Sequence, residues 1–289
     1  MFIIKQSKDI GVYLQKLASN GQKIGFVPTM GALHKGHLSL VDAARNQSGL
    51  VVCSIFVNPT QFNDTKDFEL YPKTLENDIY LLEKAGCDVV FVPEVDEIYP
   101  SGTEVNDHYD LGYLETVLEG EYRKGHFQGV CQVVHRLLDI VKPHDLYLGQ
   151  KDYQQCMIVK KLLTLIDSPA SVIVCPTLRE TNGLAMSSRN MRLSGSEKEK
   201  AGGIFEALTY IGRYIKAGLL SDITAEACSI LEQKGLSPEY VHVAKAENLE
   251  LIERWDGQTQ LVALIAAYMG KVRLIDNMIL PLNFANYGN

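Results

Sequence analysis

At 289 residues, with 46% hydrophobic and 22% charged residues, the chain has the length and composition of one large or two modest globular domains with ample core. Its formal net charge of −7 argues against a surface built to cover nucleic acid or an anionic membrane, and leaves small molecules as the expected partners. The six cysteines (Cys53, Cys87, Cys131, Cys156, Cys175 and Cys228) lack metal-site spacing and sit mostly in apolar runs, as buried thiols of a reducing compartment do. The N-terminal MFIIKQSKDIGVYL lacks a signal peptide's long apolar segment, and no apolar run reaches membrane-spanning length, so a cytoplasmic protein is expected.

Up to residue 176, short apolar runs alternate with helical patterns. KIGFV (23–27) and LVVCSIFV (50–57) read as buried strands, with the helix HLSLVDAARNQ between them. TLENDIYLLEKAG puts Leu75, Ile79 and Leu82 on one helical face and ends at Gly86, ahead of the strand DVVFV (88–92). The helix VCQVVHRLLDIV (130–141) stops before Pro143 and leads to the strand DLYLG (145–149). YQQCMIVKKLLTLI (153–166) is helical, and SVIVC (171–175) is a last strand. Continuous apolar strands alternating with helices imply an α/β fold, a Rossmann-like parallel sheet covered on both faces, with ligands beyond the strands' C-terminal ends.

After Arg192 the texture changes. SGSEKEKAGGIFEALTYIGRYIKAG opens with a Ser/Glu helix-entry signal, the helix TAEACSILEQKG follows, and YVHVA, QLVALIAAYMG and VRLIDNMIL read as strands joined by short turns. The expected division is a sheet domain over 1–176 and a smaller C-terminal α+β domain with an antiparallel sheet over 177–289.

Four polar clusters interrupt this pattern. In GFVPTMGALHKGHLSLV (25–41), Gly31 and Gly36 have the gap of a phosphate-cradling P-loop, but His37-Leu38 stands where that motif needs Lys and then Ser or Thr. A helix N-terminus after a strand attracts anions, and a histidine there acts as a neutral or transiently protonated donor rather than a resting imidazolium. Taken alone, H-x-G-H is also compatible with solvated loop histidines or a zinc pair. YLGQKDYQQ (147–155) follows a strand with Lys151, Gln154 and Gln155, where a helix-capping Asp152 is the plainer reading. FVNPTQF (56–62) carries Asn58 and Gln61 off a strand that Pro59 breaks. LRETNGLAMSSRNMRLS (178–194) groups two serines and Arg189 as anion donors after a turn at Asn182-Gly183, with an inter-domain loop as the rival reading. Three clusters leave strands at one sheet edge, and the fourth opens the second domain.

PTMGALHKGH, FVNPTQF, KDYQQ and GLAMSSRN, in this order and spacing, resemble the pantothenate synthetase (pantoate–β-alanine ligase) family across essentially the whole chain. That family is similar to class I aminoacyl-tRNA synthetases and nucleotidyltransferases, whose HIGH and KMSKS signatures correspond to HKGH and MSSR here. The resemblance implies ATP-dependent joining of pantoate to β-alanine through a pantoyl adenylate, with release of AMP and pyrophosphate and with no protein nucleophile. It implies His37 as the proton-donating residue with His34 beside it, and an ATP site lined by Met30, Gly31, Ala32, Leu33, His34, Lys35, Gly36 and His37. Gly149, Gln150, Lys151 and Asp152, the backbone at Leu178, and Met186, Ser187, Ser188 and Arg189 are expected to complete the nucleotide pocket. Gln61 and Gln155 are expected to hold pantoate, with Gln61 also near β-alanine and Asn58 close by. Magnesium is expected to travel with the triphosphate; a carboxylate such as Asp78 is a candidate to help hold it, with no metal ligand assigned. The resemblance also implies a homodimer and a second domain that closes over the active site. Gln128, Gln132 and Gln150 depart from the family's usual residues and bear on pantoate affinity. A nucleotidyltransferase of the same superfamily accounts equally well for HKGH but not for the glutamines, and a nucleotide-binding module without turnover is the third reading.

Overall fold

A computed structural model gives the structure of residues 1–62, 68–69, 71–103 and 108–280. Six strands run parallel: β1 (Phe2–Ile4), β2 (Ile24–Thr29), β3 (Leu50–Ile55), β4 (Val89–Phe91), β5 (Asp145–Gly149) and β6 (Ser171–Cys175). Their order is β1-β4-β3-β2-β5-β6. The chain steps outward from β2 through β3 to β4, then returns to the other side of β2 with β5 and β6. The direction therefore reverses between β2 and β5, and at such a switch point the loops leaving the two strands part and leave a crevice.

The apolar strands are apolar because both faces are covered. Phe26, Val52, Phe91 and Leu146 share a core with Ile10 and Leu14 of α1 (Ser7–Ser19) and Leu137 and Leu138 of α6 (His126–Val141). Val27, Val51, Cys53, Val90 and Tyr147 share another with Leu40, Val41 and Ala44 of α2 (Lys35–Gln47) and Leu82 of α3 (Leu75–Lys84). Between α3 and α6 lie the single turns α4 (Val95–Ile98) and α5 (Glu119–Tyr122), and α7 (Tyr153–Leu165) follows β5. Two elements at the N-terminus, β1 and α1, carry no counterpart in the sequence reading. Helix α6 starts at His126 rather than Val130, because Gly129 seats it against the backbone of Thr60: a Cβ there would lie 2.2 Å from the Thr60 carbonyl oxygen.

The chain forms two units, one of Met1–Gln150 and Gln154–Pro176, the other of Lys151–Tyr153 and Thr177–Asn289. The second unit has a three-stranded antiparallel sheet in the order β11 (Val272–Leu280), β10 (Leu261–Met269), β8 (Ser237–Lys245), beside a two-stranded ribbon of β7 (Gly218–Leu219) and β9 (Arg254–Trp255). Helices α8 (Gly195–Ala201), α9 (Gly203–Tyr214) and α10 (Ser221–Gln233) bring Ile204, Leu208, Ile211 and Leu231 into one core with Ala263, Ile265, Leu274 and Met278. The single helical pattern expected after Ser194 is broken at Gly202, where a Cβ would lie 2.6 Å from the Asn182 carbonyl oxygen. At the start of α8, the Ser194 hydroxyl and Glu197 carboxylate form a reciprocal capping box.

Candidate active site

The loop from β2 to α2 is built around its histidines. Helix α2 begins at Lys35, two residues earlier than its apolar pattern suggests, because His34 is the N-cap. The His34 Nδ1 accepts the Gly36 N–H at 3.1 Å, and the His37 Nδ1 accepts the His34 N–H at 3.3 Å. A backbone amide can only donate, so each Nδ1 must present its lone pair, and the ring proton of each neutral imidazole lies on Nε2. The rings pack with centroids 4.0 Å apart. Both imidazoles thus sit at the helix end with Nδ1 committed to the backbone, beside the positive end of the helix dipole, an arrangement that suits a polyanion.

Before His34 the backbone takes two successive left-handed residues, Gly31 at φ 79° and Ala32 at φ 50°. For alanine this conformation is strained and needs an external hold. Asp78, on α3, supplies it: its Oδ2 accepts from Ala32 N at 2.9 Å and its Oδ1 from Leu33 N at 2.8 Å, while the Thr74 hydroxyl donates to Oδ2 at 3.1 Å. Asp78 is 1% exposed. Its oxygens brace the loop, so it is a structural carboxylate rather than an open metal ligand. Ala32 and Leu33 have buried side chains and shape the loop, whereas Lys35 is exposed at the helix's first position.

The loop after β3 meets this one through a sulfur contact. The Gln61 amide nitrogen lies 3.1 Å from Met30 Sδ, and its oxygen accepts from the Asn58 amide at 3.1 Å. Asn58 is wholly buried: its oxygen accepts from the Tyr99 hydroxyl at 2.8 Å, and its nitrogen also donates to Gly129 O at 3.2 Å. Burial pushes the Tyr99 phenol up to about 12, so it stays protonated and donating. His126, at the start of α6, holds Gln61 by the backbone. Arg123 Nη1 can only donate to His126 Nε2, at 3.0 Å, which leaves Nδ1–H to donate to the Gln61 carbonyl at 2.8 Å.

From β5 the chain passes through Gly149 and the half-buried Gln150. The two glutamines that follow have opposite roles. Gln154 is 3% exposed and fully engaged, accepting from Glu119 N at 3.0 Å and donating to the carbonyls of Leu114 and Val117. Gln155 is half-buried, and its side chain hydrogen-bonds to none of the described residues. Gln128 is likewise structural, stitching Tyr109 and Glu115 to α6 through four hydrogen bonds.

Within the second unit, a cleft is lined by Lys151, Ser187, Arg189, Asn190 and Asp276, among others. Ser187 caps the short turn of Ser188–Arg192 by accepting the Arg189 N–H at 3.3 Å. The Leu178 carbonyl accepts from Met186 N at 3.0 Å, and Lys151 Nζ lies 3.4 Å from Asp152. Sequence reasoning singled out Lys151, Ser187 and Arg189 of this cleft but not its Asn190 and Arg273, and it found neither Asp78 as a brace nor His126. Their partners are 46 and 65 positions away, beyond any local pattern.

Among the described residues no group of three or more His, Cys, Asp or Glu could hold a metal ion. None of the six cysteines forms a disulfide among the described residues, and burial pushes the Cys87 and Cys131 thiols up to about 12, which removes them as nucleophiles. No helix among the described residues is long and apolar enough to cross a membrane.

A family model described as pantoate-beta-alanine ligase matches residues 2–279. The pantothenate synthetase of Cytophaga hutchinsonii is 43% identical over 285 residues, covering 98% of this chain and 100% of that relative. The crystal structure of pantothenate synthetase from Thermus thermophilus superposes with a TM-score of 0.85 at 36% identity, over 96% of this chain and 99% of that one. A pantoate-beta-alanine ligase from Francisella tularensis, complexed with beta-gamma ATP and beta-alanine, has a TM-score of 0.80 at 38% identity, over 96% and 97% of the two chains.

Proposed function

The chain belongs to the pantoate–β-alanine ligase family, and from that premise we infer that it joins pantoate to β-alanine with ATP by way of a pantoyl adenylate. In the first step a pantoate carboxylate oxygen bonds to the α-phosphorus as the bond from that phosphorus to the bridging oxygen breaks, and pyrophosphate leaves. In the second, the β-alanine amine bonds to the acyl carbon, AMP leaves with the former carboxylate oxygen, and the nitrogen gives up its proton. Neither step calls for a protein nucleophile, so positioning and charge stabilisation are the protein's task.

The observation that carries this reading is the pair of histidines, His34 and His37, folded over the first turn of α2 after β2 and beside the sheet's switch point. As phosphate charge grows on departure, fixed donors at a helix N-terminus stabilise it without reorganising. In this proposal His37 and His34 meet phosphate oxygens, and the backbone from Met30 to Gly36 bounds the nucleotide. Gly149, Gln150, Lys151, Asp152, Leu178 and Met186 contribute further contacts, and Ser187, Ser188 and Arg189 take the pyrophosphate portion. The amides of Gln61 and Gln155 hold pantoate, which they do without adding charge that would compete for the triphosphate. Asn58, with its amide engaged on all sides, acts through Gln61.

Magnesium belongs to the proposal as ATP's counter-ion. It prefers phosphate oxygens and water to a protein cage, in keeping with an Asp78 whose oxygens already serve the backbone. It would neutralise triphosphate charge. A homodimeric assembly, a cytoplasmic setting and a second domain that closes over the substrates are likewise proposed.

The test is isotope exchange. Labelled pyrophosphate should enter ATP when pantoate is present and β-alanine absent, because the adenylate forms before the amine arrives. Exchange that requires β-alanine, or that a phosphorylated substrate supports instead, would replace this reading with the nucleotidyltransferase one.

A further inference from the structure

Two neighbouring residues of β11 hold the two anion-donor segments of the second unit. Asp276, its side chain 2% exposed, engages the Arg179 guanidinium with both oxygens: Oδ1 accepts from Nη2 at 3.1 Å, and Oδ2 accepts from Nη1. Oδ1 also accepts from Asn277 N at 2.8 Å, which fixes the carboxylate to its own strand. Arg179 in turn donates to Gly183 O at 3.0 Å and lies over the Phe205 ring, 4.4 Å from its centroid. It thereby clamps a tight hairpin, in which Arg179 bridges Ala185 and Met186 N bonds back to Leu178 O. The end of that hairpin delivers Ser187 and Arg189.

Asn277, 2% exposed, works in the other direction. Its amide nitrogen donates to the Lys151 carbonyl at 2.9 Å, which ties the turn carrying Lys151 to the same strand. Lys151, Ser187, Arg189 and Asp276 line one cleft. A carboxylate beside phosphate-binding donors would ordinarily repel the ligand; pairing with Arg179 cancels its charge while both groups stay fixed.

We propose that Asp276 and Asn277 are positioning residues that set the spacing between Lys151 and the Ser187–Arg189 segment, and so pre-organise the grip on the pyrophosphate portion of ATP. The proposal rests on the functional reading above. It assigns the two residues no contact with substrate. The spacing is a fixed cost of binding that the free protein has already met, so loosening it should weaken ligands that need both segments and spare those that need neither.

The experiment measures Asn277→Ala, and Arg179→Lys, which keeps the charge but loses the planar fork. Four constants are read: KM for ATP, KM for pantoate, and inhibition constants for pyrophosphate and for AMP. In both variants the ATP and pyrophosphate constants should rise about tenfold, the scale of one lost hydrogen bond to a positioned group. The pantoate and AMP constants should stay within about twofold, since neither ligand needs both segments. Asn277→Gln, which retains an amide donor, should recover part of the loss. Unchanged pyrophosphate inhibition, or an equal rise in all four constants, would overturn the proposal, the second outcome marking a merely structural role. If Asn277→Ala does not fold, the same two patterns in Arg179→Lys decide. Absence of pantoate-dependent pyrophosphate exchange in the unaltered protein would instead overturn the functional reading, so the two failures are distinct.

Discussion

Asp78→Asn isolates the brace under the histidine loop. The carboxylate accepts two backbone N–H groups, from Ala32 and Leu33, one on each oxygen, and a hydroxyl from Thr74. Asparagine keeps the shape but offers one acceptor oxygen, and its NH2 must face a backbone N–H that also donates. At least one charge-assisted hydrogen bond is lost and one buried N–H is left unmet, at 1% exposure. Hydrogen bonds to charged groups contribute about 1.5–3 kcal/mol each, and an unmet buried donor costs about 1–3 kcal/mol. Because the two figures partly describe the same loss, the expected destabilisation is about 2–4 kcal/mol. The release should also let Ala32 leave its left-handed conformation, which removes the platform for His34. Urea unfolding should move to a lower midpoint, and single-turnover formation of the pantoyl adenylate should slow in protein that remains folded. Raising magnesium should restore neither, since the carboxylate serves the backbone. Wild-type stability and rate, or recovery of the rate with magnesium, would refute the reasoning, the latter by making Asp78 a metal ligand.

Four further outcomes are expected. His34→Gln and His37→Gln should each lower kcat about a hundred- to thousandfold, the cost of one donor to a developing charge, while His34→Asn, a good N-cap that lacks the imidazole's reach, should keep the helix's stability without recovering activity; wild-type single-turnover rates in both Gln variants would leave the histidines no catalytic part. Gln155→Ala should weaken pantoate much more than ATP by calorimetry, and equal losses would show the residue to be misplaced. Gly129→Ala should disturb Gln61, because the new Cβ would meet the Thr60 carbonyl oxygen at 2.2 Å; a stability loss of about 1–3 kcal/mol with a raised KM for pantoate is expected, read by urea unfolding and steady-state kinetics. Cys87 and Cys131, with thiols pushed up to about 12 by burial, should resist iodoacetamide at pH values near 8 until the protein unfolds, and mass spectrometry of the folded protein should find both unmodified.

What could be read from the sequence followed local chemistry. Strands β5 and β6 match DLYLG and SVIVC at both ends, each a short apolar run set off two residues upstream by a proline, Pro143 and Pro169. β1 escaped notice because it is a three-residue edge strand with Phe2 and Ile3 exposed, so its composition signals nothing. The motif residues stood out because histidines, glycines and amides rarely cluster between apolar runs. Their supports did not stand out as supports: Asp78 drew notice only as a carboxylate near magnesium and otherwise looks like any acid in a helix's first turn, and Asp276 looks like a polar residue in a strand. Each acquires its meaning from a partner far along the chain, 46 positions for Ala32 and 97 for Arg179. Gln154 and Gln155 make the same point at closest range. Adjacent and chemically identical, they differ because one is turned onto the 114–119 loop and the other is not.

The three residues Lys151–Tyr153 belong to the second unit although the chain on either side of them belongs to the first. This bears on how such genes can be recombined. A crossover between Pro176 and Thr177 looks natural, yet it would set one parent's Lys151 and Tyr153 against the other parent's Asn277 and Ala246, which receive them at 2.9 and 2.7 Å. A fragment beginning at Thr177 would lack both partners altogether. A hybrid that keeps both units whole must take Lys151–Tyr153 from the second unit's parent and Gln154–Pro176 from the first, and libraries carrying that three-residue graft should contain more folded members than those joined at Pro176 alone.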